Sequence, residues 1–310
     1  MSEVIIVGGG LSGLSAAWEL EQQRIPYRLI EVKQRLGGSI ITRREAGFTL
    51  DGSAFVLEKY GEWGFLSELG LDDALTPLGN YRDGQLVAFR HGTQTLIDAL
   101  ERRLNAPIMR RMAVSSIGEI SKRHIGVCLE NGLMLDARAV IVTAPARYAE
   151  HMLRTLSPEA ALLLLGYRYD PVVRVSLGYA RNDMTALPDS TGLKFLQQYH
   201  DSLPDRVPAG FTLIRAGVRL DDAITSPDAA VHKVRDLLNL GDPVVQWAFY
   251  WAEADSLSRY LPEHAEAMDA IDRLLPSGVV IAGSDYRAKR LDQQVEQGRA
   301  AARKIAETLR

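Results

Sequence analysis

The chain of 310 residues carries 36 basic and 39 acidic side chains, so its formal net charge is −3. This balance gives no electrostatic reason to expect a nucleic acid or an anionic membrane as a partner. Hydrophobic residues make up 46% and charged residues 24%, which is typical of a globular protein with a sizeable core. At this length we expect about two domains.

Cysteine usage and the apolar runs bear on the compartment. Cys128 is the single cysteine, so no intramolecular disulfide can form, as in most proteins of a reducing compartment. The densest apolar run, Ala160–Leu165, is far shorter than the roughly 18 residues that span a bilayer and predicts a short buried helix. The N-terminus runs directly into a strand, without a signal-peptide pattern. We therefore expect a soluble, cytoplasmic protein.

The first 31 residues predict one βαβ unit. Val4–Val7 is a short apolar run that ends in three glycines, which is typical of a buried parallel strand. Apolar residues recur at helical spacing over Ser12–Gln23, and Tyr27–Ile30 predicts a second strand that ends at Glu31.

The remaining elements divide between the two ends and the middle of the chain. Two Ser-Pro pairs predict helix starts with a serine cap and proline at the first position. The two strands on either side of residues 130–132 are expected to form a hairpin, and the strands near 175 and 215 look antiparallel. The strands near 140 and 280 are typical of buried parallel strands. Predicted helices span Thr93–Leu104, Ser157–Gly166, Ser226–Gly241 and the segment from Asp292, and predicted strands span Ile125–Leu129, Leu133–Leu135, Ala139–Val142, Val172–Tyr179, Phe211–Val218 and Val279–Ala282.

The glycine-rich segment Gly8-Gly9-Gly10-Leu11-Ser12-Gly13 fits the pattern G-x-G-x-x-G. Its first glycine permits a tight turn, its second permits close approach to a pyrophosphate, and its third lets the helix pack on the strand. The helix N-terminus then stabilises the anion. Glu31, 18 residues beyond Gly13, ends the second strand and is placed to bind a ribose hydroxyl. The context predicts a dinucleotide site.

A second glycine pair follows in Arg35-Leu36-Gly37-Gly38, which a simple nicotinamide dehydrogenase does not need. With this pair the sequence resembles the flavin amine oxidase superfamily, which includes protoporphyrinogen oxidases, phytoene desaturases and renalases. The resemblance extends over most of the chain. Its further motifs are Gly37–Thr42, Gly47-Phe48, Gly52–Phe55, Leu69–Leu71, Gly92–Leu96, Ala99-Leu100, Val114 and Ile117, Val140–Pro145, Tyr260–His264 and Ala282–Ala301.

The resemblance implies an α/β protein with a Rossmann-type FAD-binding domain and an inserted mixed sheet-and-helix substrate domain. The FAD-binding domain is expected at residues 1–58, 92–148 and 276–310, and the substrate domain at 59–91 and 149–275. The implied cofactor residues are Gly8, Gly10, Leu11, Ser12, Gly13, Glu31, Val32, Arg35, Gly37, Gly38, Ser39, Ser53, Ala54, Val114, Thr143, Ala144, Gly283, Ser284, Asp285 and Val295.

The sequence departs from the family at several positions. Only Arg90 and His91 separate the strand-like Gly84–Phe89 from the segment Gly92–Leu104, where larger members insert a helical lobe. Ser39 stands where many members have arginine, and Ala288 and Arg290 replace two loop glycines. Ala288 is tolerable only if its φ angle is negative. Arg290 either approaches flavin N1 and the C2 carbonyl or faces solvent.

Other side chains are weighed as candidates near the flavin. Arg174 occupies the position of an amine-oxidase lysine, and a structural role is the more favoured of two readings. Tyr286 is the best aromatic candidate for facing the flavin. Aromatic residues at 247 and 249–251 form either core or an apolar pocket. Cys128 lies away from the glycine loops as a small buried hydrophobe, so noncovalent FAD is expected. The six histidines show no metal-ligand spacing, so no metal is expected.

The function that the resemblance implies is FAD-dependent oxidation of a small or medium organic molecule, by hydride transfer from a C–H bond to flavin N5. A protoporphyrinogen-oxidase-like or amine-oxidase-like enzyme follows from the order of the motifs. A renalase-like oxidase of dihydronicotinamide isomers follows from the missing lobe. A non-catalytic FAD- or nucleotide-binding protein follows from Ser39, Ala288 and Arg290. No catalytic side chain is assigned, because the cofactor carries this chemistry.

Overall fold

The computed structural model describes residues 4–121, 124–181, 187, 192–220, 226–253 and 255–310. The chain folds as two compact units, each assembled from separate segments. The first, here the N-terminal unit, comprises Met1–Gly38, Ile97–Arg168 and Ser256–Arg310; the second, here the inserted unit, comprises Ser39–Leu96 and Tyr169–Asp255.

The elements are numbered in chain order. The strands are β1 Val4–Val7, β2 Tyr27–Glu31, β3 Thr42–Glu45, β4 Phe48–Asp51, β5 Leu57–Lys59, β6 Leu75–Tyr81, β7 Gly84–Phe89, β8 Ile108–Arg110, β9 Val114–Ser121, β10 His124–Leu129, β11 Met134–Ala137, β12 Ala139–Val142, β13 Val172–Ala180, β14 Phe195–Tyr199, β15 Phe211–Arg219, β16 Val245–Phe249 and β17 Val279–Ile281. The helices are α1 Leu11–Gln22, α2 Gly64–Glu68, α3 Gln94–Glu101, α4 Ala146–Leu153, α5 Pro158–Leu165, α6 Pro227–Leu238, α7 His264–Leu274 and α8 Leu291–Leu309.

A five-stranded parallel sheet forms the centre of the N-terminal unit, in the order β17-β12-β1-β2-β8. All side chains of β1 and β12 are buried, as expected for strands covered on both faces. From β1 the chain continues to its neighbour β2 on one side of the sheet, and β12 is its neighbour on the other side. The order in which strands are added to the sheet therefore changes direction between β1 and β12. The predicted βαβ unit and the Rossmann-type α/β fold are confirmed.

The same unit contains the predicted hairpin, formed by β10 and β11, with β9 as the third strand of an antiparallel sheet. Helices α4, α5 and α7 contribute to its hydrophobic core. The prediction that α5 is buried is wrong for half of its surface. Its residues Ala160, Ala161 and Leu164 are buried, whereas the three other leucines, at positions 162, 163 and 165, face solvent.

Helix caps differ between the two Ser-Pro starts. The Ser226 hydroxyl accepts the Ala229 amide at 3.1 Å, which is the predicted cap of α6. The predicted Ser157 cap is wrong, because this side chain instead donates to the Leu274 carbonyl oxygen at 3.2 Å. α6 also ends earlier than predicted, since Asn239 takes the left-handed conformation at φ 50° before Gly241 is reached.

In the inserted unit, four antiparallel strands follow the order β14-β15-β13-β16, and α6 packs on this sheet. The predicted pairing of Val172–Tyr179 with Phe211–Val218 is confirmed. A hairpin of β3 and β4 and a three-stranded sheet, β5-β7-β6, complete the unit. Only residues 90–93 connect β7 to α3, and the Gly92 amide closes this turn on the Phe89 carbonyl at 3.2 Å.

The bounds of the two units differ from the predicted domain bounds. Residues 39–58 and 92–96 belong to the inserted unit, and 149–168 and 256–275 to the N-terminal unit. The second difference arises because α4, α5 and α7 share a core with the parallel sheet. Which unit binds cofactor and which binds substrate stays a prediction. Within the described ranges, no helix is both long and apolar enough to cross a membrane.

Candidate functional site

The turn after β1 depends on glycine at two positions. Gly8 has φ +109°, a conformation that L side chains rarely adopt. A Cβ on Gly13 would lie 2.0 Å from the Gly8 carbonyl oxygen, so only glycine lets α1 begin this close to the strand. A Cβ on Gly10, in contrast, would meet nothing within 4 Å. The turn is therefore tight against the protein on one side and open on the other.

The open side lies at the N-terminus of α1. Gly10 is the N-cap residue and provides no side-chain cap, and the first turn of α1 contains no acidic residue. Helix N-terminal amides without intrahelical partners carry partial positive charge and attract anions. The site thus has the geometry and the electrostatics of a phosphate cradle.

The carboxylate of Glu31 is fixed at the end of β2. Its Oε2 accepts the Gly9 amide at 2.7 Å, and its Oε1 accepts the Lys33 amide at 2.8 Å. Each carboxylate oxygen has a second lone pair, so these bonds leave acceptor capacity for a hydroxyl. The ribose contact of Glu31 stays a prediction. Val32, the next residue, is exposed.

The second glycine pair lies against the first loop. Gly37 and Gly38 have φ +100° and +58°, and the Gly37 amide donates to the Gly9 carbonyl at 2.7 Å. A Cβ on Gly38 would lie 3.4 Å from Gly10 Cα. Arg35 donates to the Leu36 and Gly38 carbonyls at 3.2 and 2.6 Å, and burial lowers its pKa, an effect opposed by the charge of Glu31. The structure therefore brings both glycine motifs together.

Residues that follow β12 and β17 lie at the same edge of the sheet. The Thr143 hydroxyl, just beyond β12, donates to the Gly8 carbonyl at 2.9 Å. Beyond β17, the Gly283 amide donates to Gln297 Oε1 at 2.9 Å, and the buried Asp285 carboxylate accepts the Ala146 amide at 2.9 Å. Carboxyl ends of parallel strands form the ligand-binding edge of such sheets, at the point where strand order reverses.

Helix α8 holds α1 in place beside this edge. A Cβ on Gly298 would lie 2.1 Å from the Ser12 carbonyl oxygen, and the Ser12 hydroxyl donates to the Gln294 carbonyl at 3.0 Å. Of the remaining predicted cofactor residues of this unit, Leu11, Val295 and Val114 are buried. Ala144 and Ser284 directly follow Thr143 and Gly283.

Three predicted cofactor residues belong to the inserted unit. The Ser53 hydroxyl donates to the Ser39 carbonyl oxygen at 2.9 Å and lies 3.1 Å from the Ser39 hydroxyl. The Thr93 hydroxyl donates to the Ala54 carbonyl oxygen. Local hydrogen bonds therefore fix this stretch of backbone, and its contact with cofactor stays a prediction.

A buried charged cluster, formed by Asp51, Arg206 and Arg215, lies next to that stretch. Arg206 is 0% exposed, and its Nη2 is 2.7 Å from Asp51 Oδ2. Arg215 Nη2 donates to the Asp51 and Gly52 carbonyls at 2.9 and 3.1 Å. Both guanidinium carbons lie near the centroid of the Phe55 ring, at 4.0 and 4.2 Å. Burial lowers the pKa of Arg215 to about 9, despite the opposing charge of Asp51.

Sequence reasoning did not find the buried charged cluster. Its members are separated by more than 150 positions between Asp51 and Arg206, and neither belongs to a motif with recognisable spacing. The one available signal is Asp51 itself, an acid directly before the motif Gly52–Phe55.

Two individually weighed residues have structural partners. Arg174 forms a two-bond ion pair with Asp255, at 3.1 and 2.7 Å, which favours its structural reading. Tyr286 is 2% exposed within the core of the N-terminal unit and donates to the Ala144 carbonyl at 2.7 Å. The hypothesis that its ring faces the flavin is therefore not supported, because burial in the core leaves the ring no free face.

The closing loop tolerates its two non-glycine residues. The φ angle of Ala288 is not positive, as its replacement of glycine requires. Arg290 has φ −104°, and its side chain binds Asp292 through two bonds of 3.1 and 2.9 Å. It is the N-cap residue of α8, where its backbone amide donates to Gln293 Oε1 at 3.1 Å. Its proposed contact with flavin N1 would require this ion pair to rearrange.

The aromatic cluster is divided between core and surface. Phe249 is buried, and its ring would touch a Cβ on Gly52 at 2.9 Å. Trp247 lies on a cleft of about 720 Å³ within the inserted unit. This cleft is lined mainly by charged and polar side chains such as Arg43, Glu45 and Arg235, so the predicted apolar pocket is not found there. In the described part of the chain no group of histidine, cysteine and acidic residues could hold a metal.

The glycine turn after β1 fits the pyrophosphate of FAD. The Gly10 side of the first turn is open, the Gly38 backbone approaches it, and no side chain of the described residues caps the helix above. These are the properties that a pyrophosphate requires of its cradle.

Comparison with known proteins decides the family. The model of the family described as flavin containing amine oxidoreductase matches residues 67–306, and that of an NAD(P)-binding Rossmann-like domain matches residues 6–69. The chain belongs to the flavin-containing amine oxidoreductases. The resemblance inferred from the sequence motifs is thereby confirmed.

Curated relatives of this flavin-containing amine oxidoreductase include porphyrinogen oxidases. Coproporphyrinogen III oxidase of Bacillus subtilis is 26% identical over 246 residues, which cover 71% of this chain and 51% of that protein. The chloroplastic protoporphyrinogen oxidase of Oryza sativa is 25% identical over 261 residues, covering 73% and 48%. The chain thus spans about half the length of these relatives.

Among solved structures, a provisionally assigned protoporphyrinogen oxidase from Exiguobacterium sp. 255-15 superposes with a TM-score of 0.72 at 16% identity. The match covers 99% of each chain. At this identity the similarity establishes the fold, and the fold agrees with the predicted class.

Proposed function

We propose that this flavin-containing amine oxidoreductase binds FAD noncovalently and oxidises a small or medium organic substrate at a C–H bond. One observation carries the proposal: the open side of Gly10 at the α1 N-terminus, faced by the Gly37–Gly38 turn. A second glycine turn in contact with the first leaves backbone free to face a cofactor as long as FAD, whereas a nicotinamide dinucleotide needs only the first turn.

The chain's own residues would bind and orient the cofactor. The amides of the α1 N-terminus would hold the pyrophosphate, and Glu31 would accept a ribose hydroxyl. Val114 would clamp the adenine, and the segment Gly283–Asp285 would close the site beyond β17. Asp285 supports that role because its carboxylate is anchored on the Ala146 amide, which keeps the segment in a fixed conformation.

When bound, the flavin supplies hydride-accepting chemistry at N5, which protein side chains lack. The protein has to position the substrate C–H bond and exclude water. No acidic or basic side chain is required for this transfer, and none is assigned.

Noncovalent attachment is supported by the position of Cys128. This side chain is half-buried on strand β10, rather than fully buried as expected, and its sulfur contacts the Leu129 carbonyl oxygen at 3.7 Å. The glycine turns belong to other segments, after β1 and after β2.

The substrate class follows the relatives. The relatives from Bacillus subtilis and Oryza sativa are porphyrinogen oxidases, so a porphyrinogen-like substrate is the first candidate. A dihydronicotinamide is the second, favoured by the four-residue connection from β7 to α3, which leaves no space in the chain for an inserted lobe.

The test begins with the visible absorption spectrum of the purified protein and of the supernatant after acid denaturation. We expect a flavin spectrum that is released by acid and identified as FAD by chromatography. The holoprotein should then bleach anaerobically with a porphyrinogen but not with dihydronicotinamide isomers. A protein that stays colourless after incubation with FAD would refute the proposal, and flavin retained in the pellet would refute noncovalent binding.

A further inference from the structure

A pair of cations brackets an exposed aromatic ring on the N-terminal unit. The Arg259 guanidinium carbon lies 5.0 Å from the centroid of the Tyr260 ring, and the Lys289 ammonium nitrogen lies 4.8 Å from it. Tyr260 is 64% exposed. We refer to Arg259 and Lys289 as the cation pair.

Among the residues that the structure describes, no carboxylate pairs with either member of the cation pair. Within the described residues, neither member lies within 4 Å of an acidic side chain. The acids that pair with the sequence neighbours of Lys289 are occupied there: Asp269 and Asp272 bind Arg287, and Asp292 binds Arg290. Two like charges beside one ring repel each other, so an arrangement without a counter-charge favours the binding of an anion.

The segment that carries the cation pair is fixed beside the end of β17. Arg259 Nη1 donates to the Ser284 carbonyl at 3.4 Å. The Arg259 amide donates to the Ser256 hydroxyl, which donates to the Tyr167 hydroxyl at 2.6 Å, and Tyr167 in turn donates to the Asp285 carbonyl. The cation pair is therefore tied to the segment Gly283–Asp285, which we propose as part of the cofactor site.

Arg259 has hydrogen-bonding capacity that the protein does not use. Its Nε is buried, but Nη1 and Nη2 each donate one hydrogen bond and so each keep a second N–H for a ligand. Its Nη2 contacts only the Tyr260 hydroxyl, at 3.1 Å. An arginine with unused donors is suited to a carboxylate, which accepts two parallel bonds.

Two partly exposed leucines are close in sequence to Arg259 and Tyr260. Leu257 and Leu261, which flank Arg259 and Tyr260 in the chain, are about half exposed. An anion bound here would thus be part of a larger organic molecule, with an apolar body against the ring and leucines and its charge on the cations.

We propose that Arg259, Tyr260 and Lys289 form a binding site for the carboxylate of an organic substrate with a large apolar body. This inference rests on the proposed function and extends it, because it identifies the substrate as a carboxylate. It predicts that free carboxylic acids bind more tightly than their esters.

The test is equilibrium binding of a redox-inert porphyrin tetracarboxylate and of its tetramethyl ester to the purified protein, followed by the Soret band. We expect the acid to bind at least tenfold more tightly than the ester, and R259Q and K289Q each to weaken the acid about tenfold. R259K should recover part of the affinity, because it keeps the charge. K304Q, which removes an exposed cation elsewhere, should leave binding unchanged.

Each outcome decides the proposal. Equal binding of acid and ester, or unchanged binding by the R259Q/K289Q double variant, would overturn it. The proposal would also be overturned if the wild-type protein bound phosphatidylglycerol vesicles and the double variant lost this binding while it kept its binding of the porphyrin. Because the measurement needs no turnover, a protein without flavin that still binds the acid through these residues would refute the proposed function and retain this site.

Discussion

The space beyond Gly13 and the space beyond Gly10 differ sharply, although both glycines belong to one turn. A Cβ on Gly13 would overlap the Gly8 carbonyl oxygen at 2.0 Å, whereas one on Gly10 would point into open space. Gly13 is therefore required by the packing of the protein itself, and Gly10 by whatever occupies the open side.

This contrast gives a matched pair of variants. G13A should lower the free energy of unfolding by about 1 to 3 kcal/mol and abolish flavin binding, because α1 must move from β1. G10A, at a permitted φ of −73°, should change the free energy of unfolding by less than about 0.5 kcal/mol yet still weaken flavin binding. Urea unfolding and flavin titration measure both. Wild-type flavin affinity in G10A would contradict the pyrophosphate assignment.

The Asp51–Arg206 pair predicts a second contrast. R206L should lower the free energy of unfolding by about 3 to 5 kcal/mol, because it leaves the buried Asp51 carboxylate without its counter-charge. R181Q removes a solvent-exposed pair with Asp201 and should leave the free energy of unfolding essentially unchanged. Denaturant unfolding distinguishes them, and similar small losses in both variants would argue against the buried charged cluster.

Glu19 predicts a dependence of stability on pH. Burial raises its pKa. Hydrogen bonds from Arg299 and Gln23 and the charges of Arg299 and Arg303 together lower it by more, so the net pKa lies below the ordinary 4.5. The stabilisation is therefore complete above about pH 4.5 and is lost as the pH falls through the folded-state pKa.

E19Q should cost about 1.5 kcal/mol at pH 7 and flatten the fall of the unfolding free energy below pH 5. Acid titration of the unfolding free energy in both proteins provides the measurement. E296Q, which removes an exposed carboxylate of α8, is the control and should retain the wild-type slope. The same slope in E19Q as in wild type would show that Glu19 does not carry the effect.

Arg290 gives a prediction about the flavin environment. Because its guanidinium is bound to Asp292, we expect R290A to leave the midpoint potential of the bound flavin unchanged. The substitution should leave the start of α8 intact, since the bond to Gln293 Oε1 comes from the backbone amide of residue 290, which alanine keeps. Spectroelectrochemical titration tests this, and a lower potential in R290A would instead support a contact with flavin N1.

Much of the N-terminal unit could be predicted from the sequence because its signals are local. Val4–Val7 is followed directly by the glycines that its turn requires, and Glu31 ends the next strand. The meeting of Gly37 with Gly9 was also foreseeable, since both motifs pointed to one cofactor. Helix ends were less predictable, because Asn239 can adopt the left-handed conformation that glycine usually provides.

Features that depend on distant partners were not predictable. The Arg206 and Arg215 side chains are ordinary in sequence, and only folding places them on Phe55. The leucines of α5 form an unbroken apolar run, so sequence could not show that three of the four face solvent. Tyr286 lies beside a flavin motif, yet tertiary packing buries its ring in the core.

The packing of α1 on α8 has a consequence for folding. The Ser12 hydroxyl and its acceptor on Gln294 are 282 positions apart, and α8 covers the helix that opens the glycine turn. During synthesis α1 emerges long before its partner and has to wait with its apolar face uncovered, since loop closure over this distance comes late. We therefore expect the nucleotide cradle to be among the last features to form, and chains stopped before α8 to be captured by chaperones rather than by flavin.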